Sequence, residues 1–177
     1  LTEPTAPEER LNDYPIVLVH GFFGWGRDEV LGIYKHFGGF KDIQEELKKQ
    51  GDHKIVVTPA MGPISSSWDR VCELYAQLTG TRVDYGKAHA EEHDHERFGE
   101  NHNTWRNKSK ISKLGDGQKV NIIAHSQGTQ TARLLIELLG QGSDAEKAVT
   151  TDSYTQLTLT TKRQTTRAAR GRPSKNE

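Results

Sequence analysis

The chain has 177 residues, with 24 basic and 24 acidic side chains, so its formal charge is zero. That length supports one domain, and the charge balance excludes a chain-wide basic footprint, so no nucleic-acid partner is expected. Hydrophobic residues make up 33% and mean hydropathy is −0.77, lean but enough for one core; no apolar run approaches the roughly 18 residues that cross a bilayer. Cys72 is the single cysteine, which excludes an intramolecular disulfide and a thiolate metal cluster. Residues 1–10 are polar and lack the basic start and apolar stretch of an export signal; any such signal is expected to have been removed already.

In chain order the pattern reads as α/β. Pro15-Ile16-Val17-Leu18-Val19 is a continuous apolar run ended by His20-Gly21, as in a strand buried on both faces. Residues 42–50 place Ile43 and Leu47 four apart, with Gly51 as a helix stop, and 54–58 form a second β-branched strand. Ser67 is the expected cap of a helix through Trp68, Val71, Leu74, Tyr75 and Leu78 to Gly80. Residues 119–124 are a third strand, and Ala132, Leu135, Ile136 and Leu139 give a last helix that Gly140 should end. Strands separated by helices predict a mainly parallel sheet with ligands at the strand C-termini. Composition breaks near 150. Residues 151–177 carry six basic against two acidic side chains, and no large apolar residue follows Leu159. The expected division is a partial domain over 1–150 and a basic, Thr-rich, disordered tail over 151–177.

The third strand and last helix are joined by Ala124-His125-Ser126-Gln127-Gly128. This is a nucleophile elbow, in which small neighbours let a serine occupy a strained turn; the bland alternative is an ordinary turn with a capping serine. The first strand ends in His20-Gly21-Phe22-Phe23-Gly24-Trp25-Gly26, where glycines allow backbone N–H groups to approach a developing oxyanion. Ser126 is therefore the candidate nucleophile, and Phe22 and Gln127 are the candidate oxyanion-hole donors.

With these segments in one order, together with Ser66-Ser67-Trp68-Asp69-Arg70, Val83-Asp84-Tyr85-Gly86, Ala88-His89-Ala90 and His95-Glu96-Arg97-Phe98-Gly99, residues 14–147 resemble the thermoalkalophilic lipases of bacilli and, more distantly, the staphylococcal lipases. The resemblance implies an α/β-hydrolase fold, secretion, and hydrolysis of triacylglycerol or shorter esters at a lipid–water interface through an acyl-enzyme at Ser126. Phe23 stands where the family has a small or polar residue, and Thr129 where it has a second glycine. The family continues into a further stretch with the catalytic acid, the catalytic histidine, a lid and a calcium site, so calcium is expected only in the full-length protein. In this fold the triad runs nucleophile, acid, histidine, whereas all eight histidines here precede Ser126. The chain is thus expected to be an N-terminal part of a longer lipase and catalytically incomplete, with His20 the first upstream candidate for a base.

Asp69, His89, His93 and His95 form a second constellation. A carboxylate and neutral imidazoles suit zinc, and spacing alone favours His89 with His93, four apart on a helix. Composition alone reads the stretch as a solvated excursion, since Glu91, Glu92, Asp94 and Glu96 interleave the histidines. The resemblance instead implies a structural zinc held by Asp69, His89 and His95 with a downstream aspartate. A non-catalytic zinc-binding fragment is one alternative function. Another is DNA binding by the tail, where Arg170-Gly171-Arg172-Pro173 is similar to an AT-hook core, although such a tail is usually just solvated. Cys72 and Trp68 lie on the expected packed face, and Trp25 and His125 are assigned structural roles.

Overall fold

The first strand, β1 (Ile16–Val19), is buried along its whole length and lies between two parallel neighbours, β2 (Val56–Val57) and β5 (Asn121–Ala124). The computed structural model describes residues 14–50, 55–102 and 119–149. The expected tail from 151 with its Arg170–Pro173 segment, the first ten residues and the Gly51 stop lie outside the described residues. Between the strands come α1 (Ile43–Gln50), α2 (Ser67–Thr79), β3 (Arg82–Asp84), α3 (Lys87–Glu92) and β4 (Phe98–Asn101). After β5 come α4 (Gln127–Gln141) and α5 (Asp144–Val149).

The alternation of side chains along β1 divides the core in two. Ile16 and Leu18 face Val56 and the Ile43 and Leu47 stripe of α1. Val17 and Val19 face the other way, onto Val71, Leu74 and Leu78 of α2 and Leu135 and Leu138 of α4. The sheet therefore has helices on both faces. This is why β1 reads as an unbroken apolar run, and each fully buried side chain of this size contributes about 1.5–3 kcal/mol.

Several boundaries differ from expectation. The second strand pairs for only two residues, and the Ile16 N–H to the Ile55 carbonyl (3.0 Å) extends the contact without lengthening the ladder. The cap of α2 is Ser66, not Ser67. Its Oγ accepts from the Asp69 N–H (3.1 Å) while its hydroxyl donates to Asp69 Oδ2 (2.8 Å), a reciprocal box that needs the acid three residues on. Gly80, with φ 65°, ends α2 as expected. Gly140 does not end α4; Gly142, with φ 72°, does, and its N–H reaches the Leu138 carbonyl. A separate antiparallel pair, β3 with β4, was not anticipated. Phe98-Gly99-Glu100-Asn101 has no β-branched residue to announce a strand, and the pair is held instead by the bidentate Arg97–Asp84 contact (2.8 and 2.9 Å).

Two glycines of α4 make opposite predictions. A Cβ on Gly128 would meet the Val19 and His20 carbonyl oxygens, the latter at 2.8 Å, whereas one on Gly140 meets nothing within 4 Å. Gly128→Ala should destabilise by about 1–3 kcal/mol through overpacking. Gly140→Ala should stabilise by about 1 kcal/mol through helix propensity. Urea unfolding midpoints of the two variants will show whether they move in opposite directions.

Candidate active site

Ser126 stands between β5 and α4 with φ 54° and ψ −127°, a backbone conformation that L residues adopt only under constraint. The constraint is visible in the bonds around it. The His125 N–H donates to the Val19 carbonyl (3.0 Å), and the Gly128 N–H returns to the His125 carbonyl (2.9 Å). Gly128 must lie flat against the end of β1, which explains its small size. Ser126 occupies the N-cap position of α4, yet its side chain makes no capping bond, and the residue is exposed. The capping-serine alternative therefore does not describe this turn.

The loop after β1 comes up against the same turn. A Cβ on Gly21 would lie 2.7 Å from Ser126 Cβ, 2.7 Å from the His125 carbonyl oxygen and 3.2 Å from the Gln127 nitrogen. Gly21, the residue before Phe22, thus packs directly against the start of α4. Phe22 and Phe23 are both exposed, with rings packed edge to face at 4.6 Å. The Phe23 N–H is held by the Pro63 carbonyl (2.9 Å). Thr129 is exposed, so its side chain does not crowd the start of α4.

Beneath this turn lies a polar network that the sequence did not reveal. His20 is fully buried, its Nδ1–H donates to the Gly21 carbonyl (3.0 Å), and its Nε2 accepts from the Met61 N–H (3.1 Å). Burial, aided by the nearby charges of Arg70 and His36, pushes its pKa down to about 4 despite the Gly21 bond. With both nitrogens engaged, His20 is a neutral strut between the loops after β1 and β2 and is not placed to serve Ser126. Arg70, also fully buried, donates to the His20 carbonyl, to the Gly62 carbonyl (2.7 Å) and to Thr131 Oγ1 on α4 (3.2 Å). His36 packs its ring 5.7 Å from those of both His20 and His125 and 5.2 Å from Trp25.

Asp69, His89 and His95 come together, with ligand atoms all within 4.8 Å of one another. Asp69 Oδ2 is taken by the Ser66 hydroxyl, which leaves Oδ1 to accept from His89 Nε2 (3.0 Å), with His95 Nε2 at 4.0 Å. Burial lowers the pKa of His89 against the opposing pull of Asp69; the contact is a hydrogen bond from a neutral imidazole. His93 sits past the end of α3, its ring 4.4 Å from that of His89, and it does not join the set. Spacing favoured His93 because it assumed a continuing helix. Instead, Asp94 at φ 52° reverses the chain and the His95 N–H bonds the Ala90 carbonyl (3.2 Å), which carries His95 back. Trp68 stacks on His89 at 5.2 Å and donates Nε1–H to the Tyr85 carbonyl (2.6 Å). Cys72 is buried among apolar side chains, which pushes its thiol pKa up.

A sequence profile of the family described as lipase-like, C-terminal domain, matches residues 12–156. The chain belongs to this family. It is 41% identical over 141 residues to Lipase 2 of Staphylococcus aureus, a match that covers 78% of the chain and 19% of that relative. Among solved structures it resembles lipase 1 of Pelosinus fermentans (44% identity, TM-score 0.69, 83% of this chain and 38% of the other). It also resembles the Staphylococcus hyicus lipase (32% identity, TM-score 0.73, 88% and 40%). The chain therefore spans about a fifth of the length of the staphylococcal relative and two fifths of the solved lipase chains.

The depressed pKa of His20 sets a pH dependence. Its ordinary value is 6.5 and its folded value about 4, so the unfolded chain binds the proton more readily. Its contribution is present above pH 6.5 and is lost as pH falls toward 4, amounting to about 3 kcal/mol at most. His36, His89 and His102, whose values burial also lowers, act in the same direction. Urea midpoints measured from pH 7 to pH 4.5 should fall steadily, and His20→Gln should flatten the slope while lowering the stability at pH 7.

Proposed function

We propose that this chain carries the nucleophile and oxyanion hole of a carboxylic ester hydrolase of the α/β-hydrolase type. Its substrates would be triacylglycerol or shorter esters presented at a lipid–water interface outside the cell. The single observation that carries the reading is Ser126 held at φ 54° on a strand-to-helix turn with no capping bond. Its support is the close approach of Gly21, the residue before Phe22, to the Ser126–Gln127 turn and membership in a lipase family.

In this reading Ser126 Oγ attacks the ester carbonyl carbon and its proton passes to a base. The carbonyl oxygen takes up the negative charge beside the Phe22 and Gln127 N–H groups at the start of α4. The acyl-enzyme forms as the alcohol leaves with a proton, and water then releases the acid. What the 177 residues lack is a histidine after Ser126, where this type of enzyme carries its base. A site without an intact triad retains about 10³–10⁴ over the uncatalysed rate from the oxyanion hole and binding.

Added imidazole can stand in for the missing base. Hydrolysis of p-nitrophenyl butyrate by the wild-type chain should rise with imidazole beyond the reaction of imidazole in buffer, and Ser126→Ala should remove that excess. Identical rates for wild type and Ser126→Ala at every imidazole concentration would sink the reading.

We also propose that Asp69, His89 and His95 hold a structural zinc ion. One carboxylate and two imidazoles within 4.8 Å fit its donor chemistry, and this set is what favours the thermoalkalophilic bacillar branch of the family. The ion would tie α2 to α3 and to the segment before β4, its remaining position filled by water or by the downstream aspartate that the resemblance implies. Zinc at a hundredfold excess over its Kd should stabilise the chain by about 2.7 kcal/mol. His95→Ala should abolish that gain in a thermal melt, and an equal gain in the variant would exclude the site.

A further inference from the structure

α3 has only six residues, and its N-cap position is Gly86, which has no side chain with which to cap it. Its first N–H groups would be orphans, and so short a helix has little stability of its own. The acceptor comes from 57 to 59 residues further along the chain. Glu146 of α5, 2% exposed, accepts from the Lys87 N–H (2.9 Å) and the Ala88 N–H (3.2 Å) through Oε2, and from the His89 N–H (2.9 Å) through Oε1. Gly86, at φ 92°, makes room for it, since a Cβ there would lie 2.5 Å from the Glu146 carboxyl carbon.

His89 is thus held at three points. Glu146 fixes its backbone, Trp68 covers its ring face at 5.2 Å, and Asp69 takes its Nε2 at 3.0 Å. Nε2 is the atom an ion between His89 and Asp69 would take, so the Asp69 bond cannot persist once metal is bound. The placement of His89 then rests on Trp68 and Glu146. Through α5, Glu146 also connects α3 to α4, the helix that follows Ser126.

We propose that Glu146 is a positioning residue for the metal site. By gathering the first three N–H groups of α3, it presents His89 Nε2 to Asp69 and His95 and so sets the affinity for zinc. The inference rests on the zinc reading of those three residues, and the test separates the two. Zinc affinity of the 177-residue chain is measured by competition with a chromophoric chelator for wild type, Glu146→Ala, Glu146→Gln, Gly86→Ala and the α5 control Lys147→Ala. Cobalt(II) d–d absorption reports the ligand geometry, and circular dichroism with melting curves is recorded on the metal-free proteins.

Outer-shell partners of metal ligands typically carry 10- to 100-fold in affinity. Glu146→Ala and Gly86→Ala should weaken zinc by about that factor and alter the cobalt spectrum. Glu146→Gln, which keeps one acceptor oxygen, should fall between, and Lys147→Ala should lower the melting temperature with zinc affinity unchanged. A merely structural role for Glu146 would lower the melting temperature and leave the zinc Kd of the folded protein within twofold of wild type; that result overturns the proposal. Should Glu146→Ala fail to fold, Glu146→Gln decides by the same criterion. If wild type binds no zinc, the metal reading itself fails and this inference with it.

Discussion

The arrangement around Ser126 depends on one buried cation. Arg70 enters from α2 and spends its guanidinium on three oxygens of three different segments: the His20 carbonyl at the end of β1, the Gly62 carbonyl after β2, and Thr131 Oγ1 one turn into α4. A guanidinium without solvent must have its donors satisfied, and its planar fork can do so only if those oxygens hold fixed positions. Burial lowers its pKa, with Glu73 the nearby negative charge opposing the shift. Glu73 is itself occupied, accepting from the Gly62 N–H (2.7 Å) and the Tyr85 hydroxyl (3.1 Å). Loss of one buried partner in such a network leaves the others unpaired, which is why these contacts act as a unit.

From this centre the strain at Ser126 becomes understandable. A serine at φ 54° costs roughly 1–3 kcal/mol and persists only if its surroundings over-determine it. Here β1 does so from below, through the Val19 carbonyl bound to the His125 N–H and the flat approach of Gly128. Gly21 does so from the side. His20 and Arg70 hold the carbonyl end of β1 in place, so the turn at Ser126 and the loop after β1 rest on the same support. The three parallel strands end at this edge, which is where an open α/β sheet offers its crevice.

A second set of contacts grows from α2, which also packs on α4. Asp69 stands one residue before Arg70, so the same turn of α2 serves the carboxylate of the histidine cluster and the cation beneath the elbow. Ser66 locks one carboxylate oxygen and leaves the other for His89. The Arg97–Asp84 pair closes the β3–β4 ribbon, from whose base His95 extends. The Ser66–Asp69 contact is local, whereas the Asp69–His89 and Arg97–Asp84 contacts join separate segments, the latter through a bidentate fork.

The strand–helix alternation, the buried β1, the strand-to-helix turn at Ser126 and the α2 and α4 stripes were legible in the sequence. They rest on local rules: side-chain period, small residues where a backbone turns sharply, and glycine at a left-handed stop such as Gly80. The lipase family was legible too, because its segments recur in one order. Where local rules competed, sequence erred by a residue or a turn. Ser66 and Ser67 both could cap α2, and only the reciprocal bond with Asp69 selects the first; Gly140 and Gly142 both could end α4, and only Gly142 takes positive φ. The choice of His95 over His93 as the partner of His89 came from family resemblance, since a reversal at Asp94 leaves no periodic signal. The roles of Arg70, His20 and Glu146 were invisible for a deeper reason. Burying an arginine, a histidine or a glutamate is favourable only when acceptors or donors from distant segments converge on it, and that convergence exists only once the chain has folded.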